Sequence, residues 1–144
     1  FNASDETILL NGWVLHRYIN GNTYPSGNGV DLSGLGIESN DYVVISNQDL
    51  ETYYGRSSDR VSGTVSGNGN DAYALYDNYG DLVDIYGVIG ENGENTFWDY
   101  SDSLARRIAI DSTEFSTLDW EYFRSFEVPN EINPWVGGLG LKFD

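Results

Sequence analysis

The sequence predicts an all-β protein, built as an antiparallel sandwich or barrel, and two observations support this. Large apolar and aromatic β-formers recur over short segments, most clearly in residues 72–76 and 82–86. Glycine, asparagine and serine separate such segments at short intervals, and no long stretch has a helical period. Many short strands joined by turns are typical of packed antiparallel layers.

The N-terminal part of the chain predicts a hairpin and then a central strand. Residues 8–10 are apolar, the pair Asn11-Gly12 favours a tight turn, and residues 13–19 have the length and aromatic content of a strand. We therefore expect these two strands to pair with each other. Residues 42–46 form the most apolar short run in the chain, which favours a buried central strand.

The middle of the chain predicts loops around a second hairpin. Residues 30–37 open a further β segment, and residues 48–55 lack alternation and predict a short helix. Residues 57–70 are rich in Ser, Gly, Asp and Asn, and we expect an ordered loop there. Residues 72–86 predict a hairpin whose turn lies at residues 77–81.

The C-terminal part predicts fewer strands. Residues 91–98 predict a loop with an aromatic anchor, because Phe97 and Trp98 follow a run of turn residues. Two further strands are expected at residues 104–110 and 120–123. The tail at residues 129–144 has no regular pattern.

Composition limits the number of domains and the class of partner. With 144 residues and 40% hydrophobic content the chain can bury one core, so we predict a single domain over residues 1–144. Twenty-three acidic residues against seven basic ones give a formal charge of −16, which opposes contact with phosphate backbones and anionic lipid. No apolar run approaches the roughly 20 residues of a membrane helix. We therefore predict no nucleic-acid partner and no membrane insertion.

Cysteine usage and overall composition bear on the compartment. The chain has no cysteine, which excludes disulfides, thiolate nucleophiles and thiolate metal sites. High acidity with abundant Gly, Asn, Ser and Tyr suits a secreted or cell-surface module, and we predict that localisation. The first residues lack the regions of a signal peptide, so we interpret the chain as mature or as cut from something longer.

The residues that could carry catalysis have simpler interpretations. His16 is the only histidine, and it lies in a predicted strand with no Gly-x-Ser-x-Gly motif in the chain, so strand packing explains it better than catalysis. The carboxylate pairs Asp77 with Asp81 and Asp99 with Asp102 have the chemistry of a glycosidase pair, but turn and capping roles account for both. We predict no catalytic residue and no enzymatic activity.

No cofactor is predicted, and calcium is the ion that the chain would suit best. The loops at residues 68–71 and 77–81 present the oxygen ligands that Ca²⁺ takes, although neither matches an EF-hand loop. One structural Ca²⁺ therefore stays an open alternative, and no metal-ligand set is assigned.

Aromatic residues divide into core and contact candidates. We predict a core of strand residues, namely Trp13, Leu15, Val44, Leu75, Ile85 and Trp120. The four tryptophans together with the eleven tyrosines could form a sugar-stacking platform. Trp98 and Trp135 lie in predicted loops and remain open as contact residues.

The adjacent pair Arg106 and Arg107 predicts one buried ion pair. Neighbouring residues of a strand face opposite sides, so one of the two arginines should point inward. In an acidic protein we expect the inward arginine to pair with a carboxylate such as Asp84 or Asp71.

Five motifs follow one another along the chain: Leu10-Asn11-Gly12-Trp13-Val14-Leu15, Asn70-Asp71-Ala72-Tyr73-Ala74-Leu75, Val83-Asp84-Ile85-Tyr86-Gly87, Leu104-Ala105-Arg106-Arg107 and Asp119-Trp120. In this order they resemble motifs of the lamin tail domain, which read Leu-Ser-Gly-Trp-x-Leu, Gly-Asp-Asp-Ala-Val-Ala-Leu, Val-Asp-x-x-Gly, Leu-x-Arg and Trp. The resemblance covers roughly residues 1–125. It implies an all-β, immunoglobulin-like antiparallel β-sandwich.

The resemblance also implies a class of function. Bacterial lamin tail domains are similar in being accessory modules of secreted nucleases, phosphatases and other surface proteins. We therefore expect a non-catalytic extracellular interaction or attachment module of lamin-tail type. A carbohydrate-binding or calcium-dependent adhesion domain is the alternative. The basic patches through which nuclear lamin tails contact nucleic acid are missing from this acidic chain, so those partners are not expected.

In the family, two strands precede the first motif, and here Phe1-Asn2 aligns only with the end of the second. We therefore expect the usual first strands to be missing and the chain to be a fragment or module of a longer protein. Residues 8–10 or 42–45 would then keep unpaired backbone groups. We expect a protein or surface-polymer partner, with that edge filled by a separate segment, by a second copy, or by residues 136–143.

Overall fold

The computed structural model describes residues 1–101, 103–109 and 114–123. In those ranges the chain forms short strands, one short α-helix and three 3₁₀ turns at Ile19–Gly21, Gly63–Val65 and Thr117–Asp119. The strands and the helix are β1 (Ile8–Leu9), β2 (Val14–Tyr18), β3 (Val30–Asp31), β4 (Gly36–Ile37), β5 (Ile45–Ser46), α1 (Glu51–Tyr54), β6 (Arg60–Val61), β7 (Ala72–Tyr76), β8 (Leu82–Tyr86), β9 (Leu104–Arg107) and β10 (Trp120–Phe123). None of the described helices is long and apolar enough to span a bilayer.

The main layer is a four-stranded antiparallel sheet in the order β3–β2–β7–β8. Leu15 of β2 lies opposite Leu75 of β7, and β7 continues into β8 through the turn at residues 77–81. A bulge at Leu75 and Tyr76 interrupts the register between β7 and β8. The hairpin predicted at residues 72–86, the short helix and the strand at residues 120–123 are confirmed.

The predicted hairpin at residues 8–19 is wrong. The turn forms, since the Trp13 amide donates to the Leu10 carbonyl at 3.1 Å, but it carries the chain from one sheet to another. β1 pairs with β4, and the Leu10 amide donates to the Leu35 carbonyl at 3.0 Å. This arrangement buries Leu10, which is 2% exposed, so burial of an apolar side chain outweighs the local preference of the turn.

The central strand predicted at residues 42–46 is also wrong. Only Ile45–Ser46 forms a strand, and it pairs in parallel with β6 outside the main sheet, so one pair departs from the antiparallel pattern. The Val44 amide donates to the Asp59 carboxylate at 2.7 Å in place of a strand partner. Val44 is nevertheless buried. Its apolar character therefore predicted its burial correctly, whereas the prediction that it lies in a strand is wrong.

The principal core lies between the main sheet and the segments around β1, β4 and β5. Its buried members are Leu10, Val30, Leu32 and Ile37. Trp13, Leu15 and Leu75, which were predicted to be core residues, pack against this cluster and are partly buried. We call this side of the main sheet the inner face. Predicted core residue Ile85 packs instead on the opposite side, the outer face, against Tyr18, Ala72 and Ala74.

A second, aromatic cluster surrounds Tyr86 at the other end of the sheet. Trp98, Tyr100, Phe115 and Trp120 all contact the Tyr86 ring edge to face. The Tyr86 hydroxyl donates to the Trp98 carbonyl at 2.5 Å. Such edge-to-face geometry places the positive ring edge against the negative face of its neighbour. The predicted core residue Trp120 therefore packs in this cluster and is partly buried.

Trp98, which its loop position left open as a contact residue, lies in the interior and is 3% exposed. Two glycines explain why a loop residue can be buried there. A Cβ at Gly87 would lie 2.9 Å from Trp98 Cζ3, and one at Gly93 would overlap the same ring. Phe97, the next residue, is 91% exposed. Trp135 lies outside the described residues.

The N-terminal residues are tied to the body of the domain. The Asn2 amide donates to the Asp41 carbonyl at 2.9 Å, and the Asn2 side chain donates to the Ile37 carbonyl at the same distance. Partners within the chain therefore occupy part of the edges that were expected to be open. β4 pairs with β1, β6 pairs with β5, and the Asn2 amide bonds to residue 41, next to the second segment. Residues 136–143 lie outside the described residues.

Buried tyrosines predict a loss of stability at high pH. Burial raises the pKa of Tyr86 and Tyr100 above the ordinary value of 10.0. The folded chain thus retains protons that the unfolded chain releases, so the contribution of these tyrosines to stability is fully present below pH about 10 and is lost above it, by about 1.4 kcal/mol per pH unit for each such tyrosine. Urea unfolding over this alkaline range should show the decline. Tyr100→Phe should make it shallower, and Tyr53→Phe, on an exposed ring of α1, is the control. A free energy of unfolding that stays flat to pH about 11.5 would contradict the burial.

Candidate functional site

An open cleft of about 560 Å³ lies on the outer face of β2 and β7. Its floor comes from strand residues Val14, His16, Tyr18 and Tyr76, and one wall is the turn at residues 77–80. Gly12 and Pro25 complete the lining. The volume is in the range of small-ligand sites, which combine apolar walls with a few polar groups.

Strand alternation and two small residues create this cleft. Val14, His16 and Tyr18 face outward because every second residue of a strand points to the same side. In the register of β2 with β7, His16 lies opposite Ala74 and Tyr18 opposite Ala72. Both alanines are buried, at 0% and 1% exposure, beneath larger neighbours. Large rings from one strand therefore lie beside short side chains from the next.

The aromatic floor has unused hydrogen-bonding capacity. The hydroxyl oxygens of Tyr18 and Tyr76 lie 3.0 Å apart and share one hydrogen bond. Two hydroxyls carry two protons and this bond uses one, so the second remains available for a ligand or water. Burial, and then the bond to Tyr76, raises the pKa of Tyr18 to about 12. The His16 ring packs edge to face on Tyr76 at 5.7 Å between centroids.

The turn at residues 77–81 fixes a carboxylate at the cleft wall. Asp77 Oδ1 accepts the amides of Tyr79 and Asp81, each at 2.9 Å. Asp77 Oδ2 has no hydrogen-bond or ion-pair partner among the described residues. The turn packs tightly on the Asn11-Gly12 turn, since a Cβ at Gly12 would lie 3.0 Å from Asn78 Cβ. Tyr79, at the tip, is 84% exposed.

The predicted carboxylate pairs serve as turn residues where the structure describes them. Asp77 Oδ1 accepts the amide of Asp81 at 2.9 Å. Asp99 accepts the Ser101 amide at 2.9 Å and the Asn95 amide at 3.0 Å. Asp102 lies outside the described residues.

The loop at residues 68–71 uses its carboxylate internally. Asp71 is 1% exposed, and its Oδ2 accepts both Nε and NH2 of Arg17 at 2.8 and 2.6 Å. Its Oδ1 accepts the Asn20 amide at 2.9 Å. This carboxylate therefore pairs with the Arg17 guanidinium, and a calcium ion that binds at this loop would have to displace that guanidinium. Among the described residues, no group of three His, Asp or Glu side chains is arranged to hold a metal ion.

The predictions for the adjacent residues Arg106 and Arg107 are confirmed: one arginine is buried in an ion pair, and the other points to the opposite side. Arg107 is buried and bonds to Asp84, one of the two carboxylates predicted for it. Arg106 points to the other side and bonds to Glu121 across the β9–β10 pair. The Arg107 guanidinium also lies over the Trp120 ring, 5.5 Å from its centroid.

Sequence reasoning placed His16 on a strand and considered a platform of tryptophans and tyrosines, but it did not single out the tyrosines beside His16. Tyr18, Tyr76 and Tyr79 supply the cleft, and Trp98 lies in the interior. The alternation of His16 with Tyr18 indicated that they share a face. The joining of β2 to β7, which are far apart in the sequence, could not be read from either strand alone.

Comparison with known proteins identifies the family. The family model described as Lamin Tail Domain matches residues 1–90. No curated protein and no solved structure gives a significant match. The match covers more than half of the chain, includes all four strands of the main sheet, and agrees with an immunoglobulin-like all-β sandwich. The chain therefore belongs to the lamin tail domain family.

Proposed function

We propose that this lamin tail domain is a non-catalytic interaction or attachment module that acts outside the cell or on its surface. Family membership suggests an immunoglobulin-like interaction module, and lamin tail domains are generally non-catalytic. The observation that carries the proposal is the cleft on β2 and β7, where aromatic rings and one carboxylate are presented to solvent on a rigid sheet. High acidity with abundant Gly, Asn, Ser and Tyr supports the extracellular part.

The partner is a protein or a surface polymer, and neither nucleic acid nor a bilayer interior suits a chain of charge −16. The modes of association that we propose are β-strand complementation or self-association, because β1 and β4 form a sheet with no third strand among the described residues, and Leu9 of β1 is 66% exposed. Light scattering at increasing concentration distinguishes self-association from a stable monomer.

A carbohydrate-binding or calcium-dependent adhesion domain is the second candidate, and Tyr79 is the observation that favours sugar binding. An exposed ring beside Asn78 and Asp77 offers an apolar surface next to hydrogen-bonding groups. The same arrangement also occurs at protein interfaces, where tyrosine is enriched.

Two assays run in parallel test the proposal. Labelled domain is applied to glycan arrays and isolated extracellular polymers with and without calcium, and the same preparation is screened for esterase, nuclease and glycosidase turnover. Retention without turnover supports an attachment module. Calcium-dependent retention on a defined glycan would favour the second candidate. Turnover that survives repurification and is lost in Asp77→Asn would contradict a non-catalytic role.

A further inference from the structure

We propose that the cleft on β2 and β7 binds an organic cation, specifically an alkylated ammonium group, held between the tyrosine rings and Asp77. This inference rests on the proposed function, since it names the chemistry by which the module would recognise its partner. It also gives the cleft a ligand class that can be tested with small molecules.

Charge is the first argument for a cation. The turn holds Asp77 in place through Oδ1, while Oδ2 keeps its capacity to accept a hydrogen bond or pair with a charge. The ten lining residues include no lysine or arginine. The described arginines have partners elsewhere. Arg17 pairs with Asp71, Arg56 with Asp59, Arg106 with Glu121 and Arg107 with Asp84, and Arg60 donates to the Ser33 carbonyl. None of the described arginines pairs with Asp77, so its Oδ2 is open to a cationic ligand.

The rings are the second argument. The face of an aromatic ring carries negative charge density, so it attracts a cation that approaches within about 6 Å of the ring centroid. Tyr76 and Tyr79 bring two such rings to the same cleft as the carboxylate, and Tyr18 and His16 extend the aromatic floor. An alkylated ammonium satisfies both features, because its methyl groups contact rings while its charge faces the carboxylate.

Neutral and anionic ligands fit the cleft less well. A neutral sugar would cover Asp77 without compensating its charge, and burying an unpaired carboxylate is costly. An anion would meet both Asp77 and the field of a chain of charge −16. A cation gains from the same field, which raises its local concentration at low ionic strength.

Calorimetric titration of the domain with choline, and with its uncharged isostere 3,3-dimethylbutan-1-ol, tests the assignment. We expect choline to bind at least about tenfold more tightly than the isostere. Asp77→Asn removes the charge and retains an oxygen that accepts the two turn amides. It should therefore lower the affinity for choline about tenfold and leave the melting temperature unchanged. Tyr79→Leu should lower the affinity for choline similarly. Tyr53→Leu, which changes another exposed tyrosine, on α1, should leave that affinity unchanged.

The outcomes separate this inference from the proposed function. The cation assignment would be overturned if choline does not bind, if the isostere binds with equal affinity, or if both cleft variants keep full affinity for choline. If a polymer still retains the domain in that case, the attachment role stands without it. Reproducible turnover of a substrate overturns the proposed function, whether or not choline binds.

Discussion

Trp98→Ala is expected to lower the free energy of unfolding by about 3 to 5 kcal/mol, because it removes a buried indole ring from the aromatic cluster. The indole is 3% exposed and lies edge to face with Tyr86 and Phe115, at 6.1 and 6.2 Å between centroids. The glycines at 87 and 93 carry no side chain that could move in to fill the space. Urea denaturation followed by circular dichroism gives the change directly.

Two controls make that result specific. Phe97→Ala, one residue away and 91% exposed, should change stability by no more than about 0.5 kcal/mol. Trp98→Phe should cost much less than Trp98→Ala, because a ring remains and the buried indole N–H has no partner among the described residues. Equal costs for Trp98→Ala and Phe97→Ala would show that Trp98 is not buried.

Asp71→Ala should be comparably damaging, with a loss of about 3 to 5 kcal/mol. The carboxylate, one residue before β7, connects that strand to Arg17 of β2 and to the Asn20 amide in the turn at Ile19–Gly21. Removing it leaves the Arg17 guanidinium, 14% exposed, without its anionic partner. An unpaired charge in such surroundings costs more than the pair itself contributes.

A second ion pair and a double variant test that reasoning. Glu121→Ala breaks the Arg106 pair, whose carboxylate is 45% exposed, and should cost no more than about 1 kcal/mol. Arg17→Met combined with Asp71→Asn should be more stable than Asp71→Ala, because no charge stays buried and an oxygen still accepts the Asn20 amide. A double variant less stable than Asp71→Ala would contradict the stranded-charge explanation.

Local patterns predicted the parts of the fold that depend on neighbouring residues. The β7–β8 hairpin followed from alternation around Asp77 and Gly80, and the opposite directions of Arg106 and Arg107 followed from strand geometry alone. In each of these cases the residues that determine the structure lie close together in the sequence.

The errors occurred where distant partners decide the structure. Asn11-Gly12 forms its turn, but Leu10 gains more burial beside Leu35 and β4 than in a hairpin with β2. Trp98 was left open as a contact residue because it lies in a predicted loop, although Gly87 and Gly93 leave space for its ring in the interior. The cleft was missed because it exists only once β2 and β7 are paired.

Amide chemical-shift mapping of the domain titrated with choline tests most directly whether the outer face of β2 and β7 is its contact surface. The cleft predicts saturable shifts confined to residues that line it, with the largest at Tyr76, Asp77 and Tyr79. Residues of the inner face, such as Leu15 and Leu75, should shift little. Shifts centred on the inner face or on β9 and β10, or no saturable shift at all, would contradict the assignment.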